Sequence, residues 1–237
     1  MRSCALFAGT LALLGCGGGG AKYKIDDVSL AQVPIADKQP IFAAENEIAV
    51  ARSEAQKARA DIDAASSDGA IADNEFEQAR LETRKVKLER DAASRSQDQN
   101  RLAAVEQRQK IADAGERAAG AKVGALKQKR KWHEAQLDAA EAHVAAAQAK
   151  VELEKARLAV AKGIKPTPDF KIDTYTMEYN KQDQGWDEGK RRADKRRAEA
   201  EAANQTWERA KAAHAALVTP PAVTSPGPAA PATPPAK

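Results

Sequence analysis

Few side chains in this sequence have the type and spacing for chemistry. His133, His143 and His214 are the obvious acid–base or metal-binding groups, yet they fall far apart on a helical chain and lack neighbouring acids at ligand spacing. His133-Glu134 opens like a zinc-protease motif, in which two histidines four residues apart hold the metal and the glutamate activates water. Position 137 is leucine, so the second ligand is missing. The histidines read as surface or seam residues. Carboxylate pairs such as Glu152 and Glu154, or Glu199 and Glu201, are ordinary on a charged helix and receive no catalytic role. Gly17 to Gly20 is no phosphate loop, because no strand precedes it and no Gly-Lys-Ser/Thr follows. With no nucleophile motif and no glycine-rich strand-turn-helix element, the chain reads as non-enzymatic, with no catalytic residue, metal site or cofactor.

Two other features have recognition chemistry. Lys190-Arg191-Arg192 and Lys195-Arg196-Arg197 place six cations in eight residues, a pattern suited to anionic lipid headgroups or acidic cell-wall polymers. Asp187, Glu188, Asp194, Glu199 and Glu201 flank them at helical pairing distance, so a solvated, salt-bridged face is the simpler reading. Tyr175, Tyr179, Trp186 and Trp207 form a stripe that suits glycan or a partner's apolar surface. The inner seam of a bundle explains it equally directly, and we prefer that.

The sulfur chemistry lies near the start. Met1 and Arg2 supply a short positive segment, Ala5 to Leu14 an apolar run, and Leu13-Leu14-Gly15-Cys16 precedes four glycines. The run is far short of the ~20 apolar residues of a membrane-spanning helix, and its charge and length are those of a cleaved signal peptide. The small residue before Cys16, with leucines two and three positions ahead of it, resembles the lipobox of bacterial lipoproteins. It departs from the commonest form at Leu14, where a smaller residue is usual. The resemblance implies export, diacylation of the Cys16 sulfur and cleavage just before it. Acyl chains contribute about 0.8 kcal/mol per buried methylene, and two or more make anchoring stable. Cys4, the one other cysteine, lies in the signal segment, which leaves no disulfide within the mature chain. Gly17 follows Cys16 where inner-membrane lipoproteins tend to carry Asp, so the resemblance favours the outer membrane, facing the periplasm.

The elements that carry these residues follow from composition. Aromatics are 4% of the 237 residues and charged residues 30%, while most of the 43% counted as hydrophobic is alanine. That is the profile of long helices and coiled coils. The net charge of +4, from 38 basic and 34 acidic residues, describes an interspersed surface and gives no reason to expect nucleic acid. We therefore expect an all-α fold of long antiparallel coiled-coil helices, an elongated hairpin or three-helix rod, with a disordered Pro-rich tail.

The expected organisation is a signal peptide at 1–15, a lipidated cysteine and flexible tether at 16–37, a coiled-coil hairpin at 38–163, a Pro-containing linker at 164–172, a third helix at 173–217 and the tail at 218–237. Asp37 offers a helix cap and Pro40 a first-turn residue. From Ile41 the heptads are regular, with Ile41, Ile48, Ala55, Ile62, Gly69 and Phe76 at a and Ala44, Ala51, Ala58, Ala65, Ala72 and Ala79 at d. The same phase on both sides of Ser66-Ser67-Asp68-Gly69 predicts a helix that runs through this turn-like sequence. The reversal lies either in the polar stretch 90–100, which contains the capping-box pattern Ser96-x-x-Gln99, or in 113–124. We favour the latter, because Gly115, Gly120 and Gly124 weaken a helix there. Gln109, Glu116, Arg130 and His133 interrupt the second seam and are open to another chain or to solvent. Pro166 and Pro168 end the hairpin, and seven prolines in the last twenty residues keep the tail extended or disordered.

The helical body is similar in composition and layout to alanine-rich coiled-coil envelope lipoproteins and, in plan, to the murein lipoprotein. Lys237, in a Pro-rich tail, is no counterpart of that protein's wall-linking lysine. The implied function is a non-enzymatic tether, spacer or adaptor, held to the membrane through Cys16 and engaging an envelope protein, a cell-wall polymer or a second copy through its coiled coil. The alternative is an accessory subunit of an export or efflux machine that docks through its hairpin. The β-rich domains usual beside such hairpins have no counterpart in the sequence.

Overall fold

A computed structural model describes residues 23–96 and 98–219. Cys16, the signal segment and the tail from residue 220 lie outside them. Among the described residues the fold is all-α, with three long helices and no strand: α1 (Gln39–Arg95), α2 (Gln99–Ala161) and α3 (Ile172–Val218). The chain divides into two compact units. One combines the residues up to 65 with 129–198, and the other combines 66–128 with the residues from 199 onward.

α1 is built on its heptad seam. Ile41, Ala44, Ala51, Ala55, Ala58, Ala65, Ala72, Val86 and Ala93 are buried, and the phase is unbroken through Ser66–Gly69, which is helical as expected. A seam of methyl groups lets neighbouring backbones approach closely but removes little apolar surface from water per residue. Two polar seam positions therefore need partners. Thr83 is fully buried and its Oγ1 donates to the Ala112 carbonyl at 3.3 Å, while Arg90 Nη1 donates to Gln109 Oε1 at 3.2 Å. Gln109, expected to be open to another chain or to solvent, is thus engaged within the hairpin.

The chain reverses between Arg95 and Gln99, the ends of α1 and α2, so the favoured position at 113–124 was wrong. Asp98 caps α2 by accepting from the Arg101 amide at 3.1 Å. The glycines of α2 serve packing instead. A Cβ on Gly115 would sit 3.3 Å from the His214 ring, and one on Gly120 would sit 3.2 Å from the Phe76 ring. Glycine here admits a ring from a neighbouring helix, which outweighs its ~1 kcal/mol propensity cost.

α2 ends in a left-handed glycine. Gly163 has φ +67°, its amide donates to the Val160 carbonyl, and the Ile164 amide donates to the Ala159 carbonyl at 2.8 Å. These are the paired bonds of a Schellman motif, with Ile164 packed on the apolar cluster beneath. Pro166 and Pro168 follow, and α3 returns antiparallel to α2, with Gly189 against Ala139 and Trp186 against His143. On α3, Tyr175, Gly189, Ala193 and Ala200 are buried and Tyr179, Trp186 and Trp207 half-buried, which is the inner stripe expected.

The expected flexible tether over 16–37 is overturned for its described part. Residues 23–38 form two single-turn 3-10 helices, Asp27–Leu30 and Ile35–Lys38, that bury Ile25, Leu30 and Val33. These join Ile41, Val151, Leu153, Leu158 and Tyr175 in the largest apolar cluster of their unit. Asp37 lies in the second 3-10 helix, and instead of capping α1 it pairs with Lys162 at 2.6 Å. The sequence looked extended because its apolar residues follow neither a helical nor a strand period. They are spaced for short 3-10 turns that pack against residues of all three long helices.

Candidate functional site

α1 carries an acidic column beside its seam. Glu47, Glu54, Asp61, Asp68, Glu75, Glu82 and Glu89 occupy seven successive g positions, each seven residues after the last. α2 meets this column with basic residues. In one unit Glu47 Oε2 accepts from Lys150 at 2.6 Å and Glu54 Oε2 lies 3.0 Å from His143 Nδ1. In the other, Glu75 pairs with Lys122, and Glu89 with Arg108 at 2.7 Å. All four pairs are centred between residues 98 and 99, so one register holds wherever they form. The hydrogen bond that Lys150 donates to Glu47 holds its ammonium above the ordinary lysine range, against the opposing effect of burial. Two positions of the register lack a cation: Gln136 stands across from Asp61 and Gly115 across from Glu82. His214 of α3 packs on Gly115, beside a groove of about 270 Å³ that Glu82 and Arg108 also line.

His143 sits between α1 and α3. Its side chain is 8% exposed; Nδ1 meets Glu54, and Nε2 lies 3.6 Å from Glu47 Oε1 without a hydrogen bond. The ring stacks on Trp186 with centroids 3.9 Å apart and planes 2° from parallel, and Lys190 Nζ lies 3.9 Å from the centroid of that indole. Such a cation over an indole is attracted by the ring quadrupole, worth roughly 0.5–1 kcal/mol when exposed. Lys190 also pairs with Asp187 at 2.7 Å. That bond and the nearby Lys190 and Arg191 charges keep the exposed Asp187 carboxyl below the usual range.

One turn further along the same unit, an open groove of about 560 Å³ lies among α1, α2 and α3. Its apolar floor is Ala58, Ala139, Ala140 and Ala193, its indoles are Trp132 and Trp186, and its polar groups include Asp61, His133, Gln136 and Asp194. The floor is shallow because α2 and α3 are very close here. A Cβ on Gly189 would stand 3.0 Å from the Ala139 Cα. His133 is buried, stacks on Trp132 at 4.7 Å and places Nδ1 2.9 Å from Gln136 Oε1. With Oε1 accepting, Nδ1 carries a hydrogen. Asp61 Oδ2 is 4.0 Å from Nδ1. Among the described residues no three His, Cys, Asp or Glu side chains converge to hold a metal ion.

The residues singled out from sequence are distributed as follows. Cys16 lies outside the described residues. Lys190, Arg191, Arg192, Lys195, Arg196 and Arg197 are all exposed on α3. Arg192, Lys195 and Arg196 line a second groove of about 540 Å³ whose α2 wall carries Lys131, Glu134 and Asp138. The cationic face therefore meets acids across the groove as well as along its own helix. Sequence reasoning missed the acids around His143 because they come from α1. The detectable signal was the unbroken acidic g column, read against a register centred near residue 98.

Comparison with family models, with curated proteins and with solved structures returns no match for this chain.

Proposed function

We propose that this protein is a non-enzymatic, lipid-anchored helical protein of the bacterial cell envelope, held through Cys16 to the outer membrane on its periplasmic side. It acts there as a tether or adaptor for another envelope component. The observation that carries the reading is the docked segment at residues 23–38. Ile25 donates its amide to Glu152 Oε2 at 2.7 Å, Lys155 pairs with Asp27 at 2.7 Å, and the Tyr23 and Tyr175 rings lie 6.0 Å apart. Cys16 precedes Tyr23 by seven residues, which span at most about 25 Å when fully extended. A lipid on Cys16 would therefore hold the end of α2 and the start of α3 close to the bilayer. Anchoring force would pass into a packed cluster instead of a loose chain. No described helix is long and apolar enough to cross a membrane, and the acylated cysteine supplies the attachment in this reading.

The mixed-charge face of α3 is the surface offered to a partner, as an envelope protein or a cell-wall polymer. The test is a photo-crosslinker at Arg192, which is exposed, or at Gln182, which is half-buried, in intact cells. A discrete protein or wall-polymer adduct from Arg192 supports an adaptor. Adducts with lipid alone, or with a second copy alone, would sink the adaptor role.

A further inference from the structure

We propose that the groove at Asp61 binds a small organic amine, with its ammonium at the Asp61 carboxylate and its apolar body against Trp132 and the alanine floor. The inference does not depend on the lipid anchor. It starts from the ladder between α1 and α2. At Glu47, Glu54, Glu75 and Glu89 the register supplies a lysine, histidine or arginine from α2. At Asp61 it supplies Gln136, which bonds His133. At Glu82, the other interruption, His214 packs on Gly115 beside a groove of about 270 Å³ that Arg108 also lines, whereas the groove at Asp61 is about 560 Å³.

The surroundings suit an ammonium. Asp61 is 41% exposed, and His133 Nδ1 lies 4.0 Å from its Oδ2. A carboxylate in a groove with an apolar floor attracts an ammonium by charge, with more strength where water is excluded. Asp194 adds a second carboxylate on α3. The two lysines on the lining do not cancel this. Lys190 is committed to Asp187, and Lys57 leaves the lining one negative charge in excess of the paired groups. The groove's volume falls within the usual range for small-molecule sites, about 300–1,000 Å³.

The test uses the full chain in a zwitterionic detergent, with Trp207→Phe so that fluorescence reports Trp132 and Trp186 alone. Cadaverine is titrated beside 1-pentanol, which lacks the ammonium, and beside Nα-acetyl-lysine methylamide, which presents it on a peptide. The expected result is saturable cadaverine binding, no pentanol binding, and at least tenfold weaker binding in Asp61→Asn. Gln136→Lys should abolish binding while leaving helicity intact, because it places an internal ammonium in the vacant position. Absence of cadaverine binding, or unchanged binding in Gln136→Lys, overturns the proposal. Tighter binding of the lysine amide than of cadaverine also overturns it, since the occupant would then be a side chain of another protein.

Discussion

The imidazole of His143 lies parallel to the indole of Trp186, 3.9 Å between centroids, and so couples α2 to α3 at the point where α2 also meets Glu47 and Glu54 of α1. Stacked aromatic pairs are worth about 0.5–1.5 kcal/mol beyond their buried area. A double-mutant cycle with His143→Ala and Trp186→Ala should give a coupling energy in that range, read from urea denaturation. Additive effects would show that the stack is incidental.

Two glycines should respond in opposite directions. Gly69 lies inside α1 with nothing within 4 Å of an added Cβ, so Gly69→Ala should stabilise the protein by roughly 0.5–1 kcal/mol through helix propensity. Gly189 faces the Ala139 backbone, and Gly189→Val should cost about 1–3 kcal/mol as overpacking. Thermal denaturation followed by circular dichroism distinguishes them.

The docked N-terminal segment should loosen in alkali. Burial lowers the Lys155 pKa, but Asp27 and Glu152 outweigh it and hold the ammonium above the ordinary lysine value. Burial, aided by the Glu152 charge, also raises the Tyr175 hydroxyl. Both groups bind their protons more tightly folded than unfolded. Their contribution is complete below the unfolded values, about 10.4 and 10, and is lost as pH rises through the folded ones. In a spectrophotometric titration one tyrosine should ionise later than the others, and Tyr175→Phe should remove that late step.

The ion pairs of the acidic column should matter little one at a time. Lys122 and Glu75 are partly exposed, and such pairs contribute about 0–1 kcal/mol. Glu75→Gln should shift the urea midpoint by less than the Gly189→Val change does. A larger loss would mean that the column is a cooperative network.

The helical class, the unbroken α1 seam and the stripe on α3 were legible because period and alanine content act locally. The reversal was misread because glycine was judged by its backbone freedom. Gly115 and Gly120 are placed by what lies beside them in space, His214 and Phe76, which no local pattern reveals. Residues 23–38 were misread for a related reason: Ile25, Leu30 and Val33 are ordered by contacts with residues more than 100 positions away. The groove was invisible for the same cause, since its walls come from three helices. Its clue, Gln136 across from Asp61, needs the hairpin register first.

The most direct test of the proposed anchoring is metabolic labelling with an alkyne-tagged fatty acid in a bacterial host, comparing the full chain with Cys16→Ala. The expected result is label on a membrane-pelleted protein whose mass begins at Cys16 plus acyl chains, with both label and membrane association lost in the variant. An unlabelled wild-type chain, or equal membrane association of the two, would contradict it.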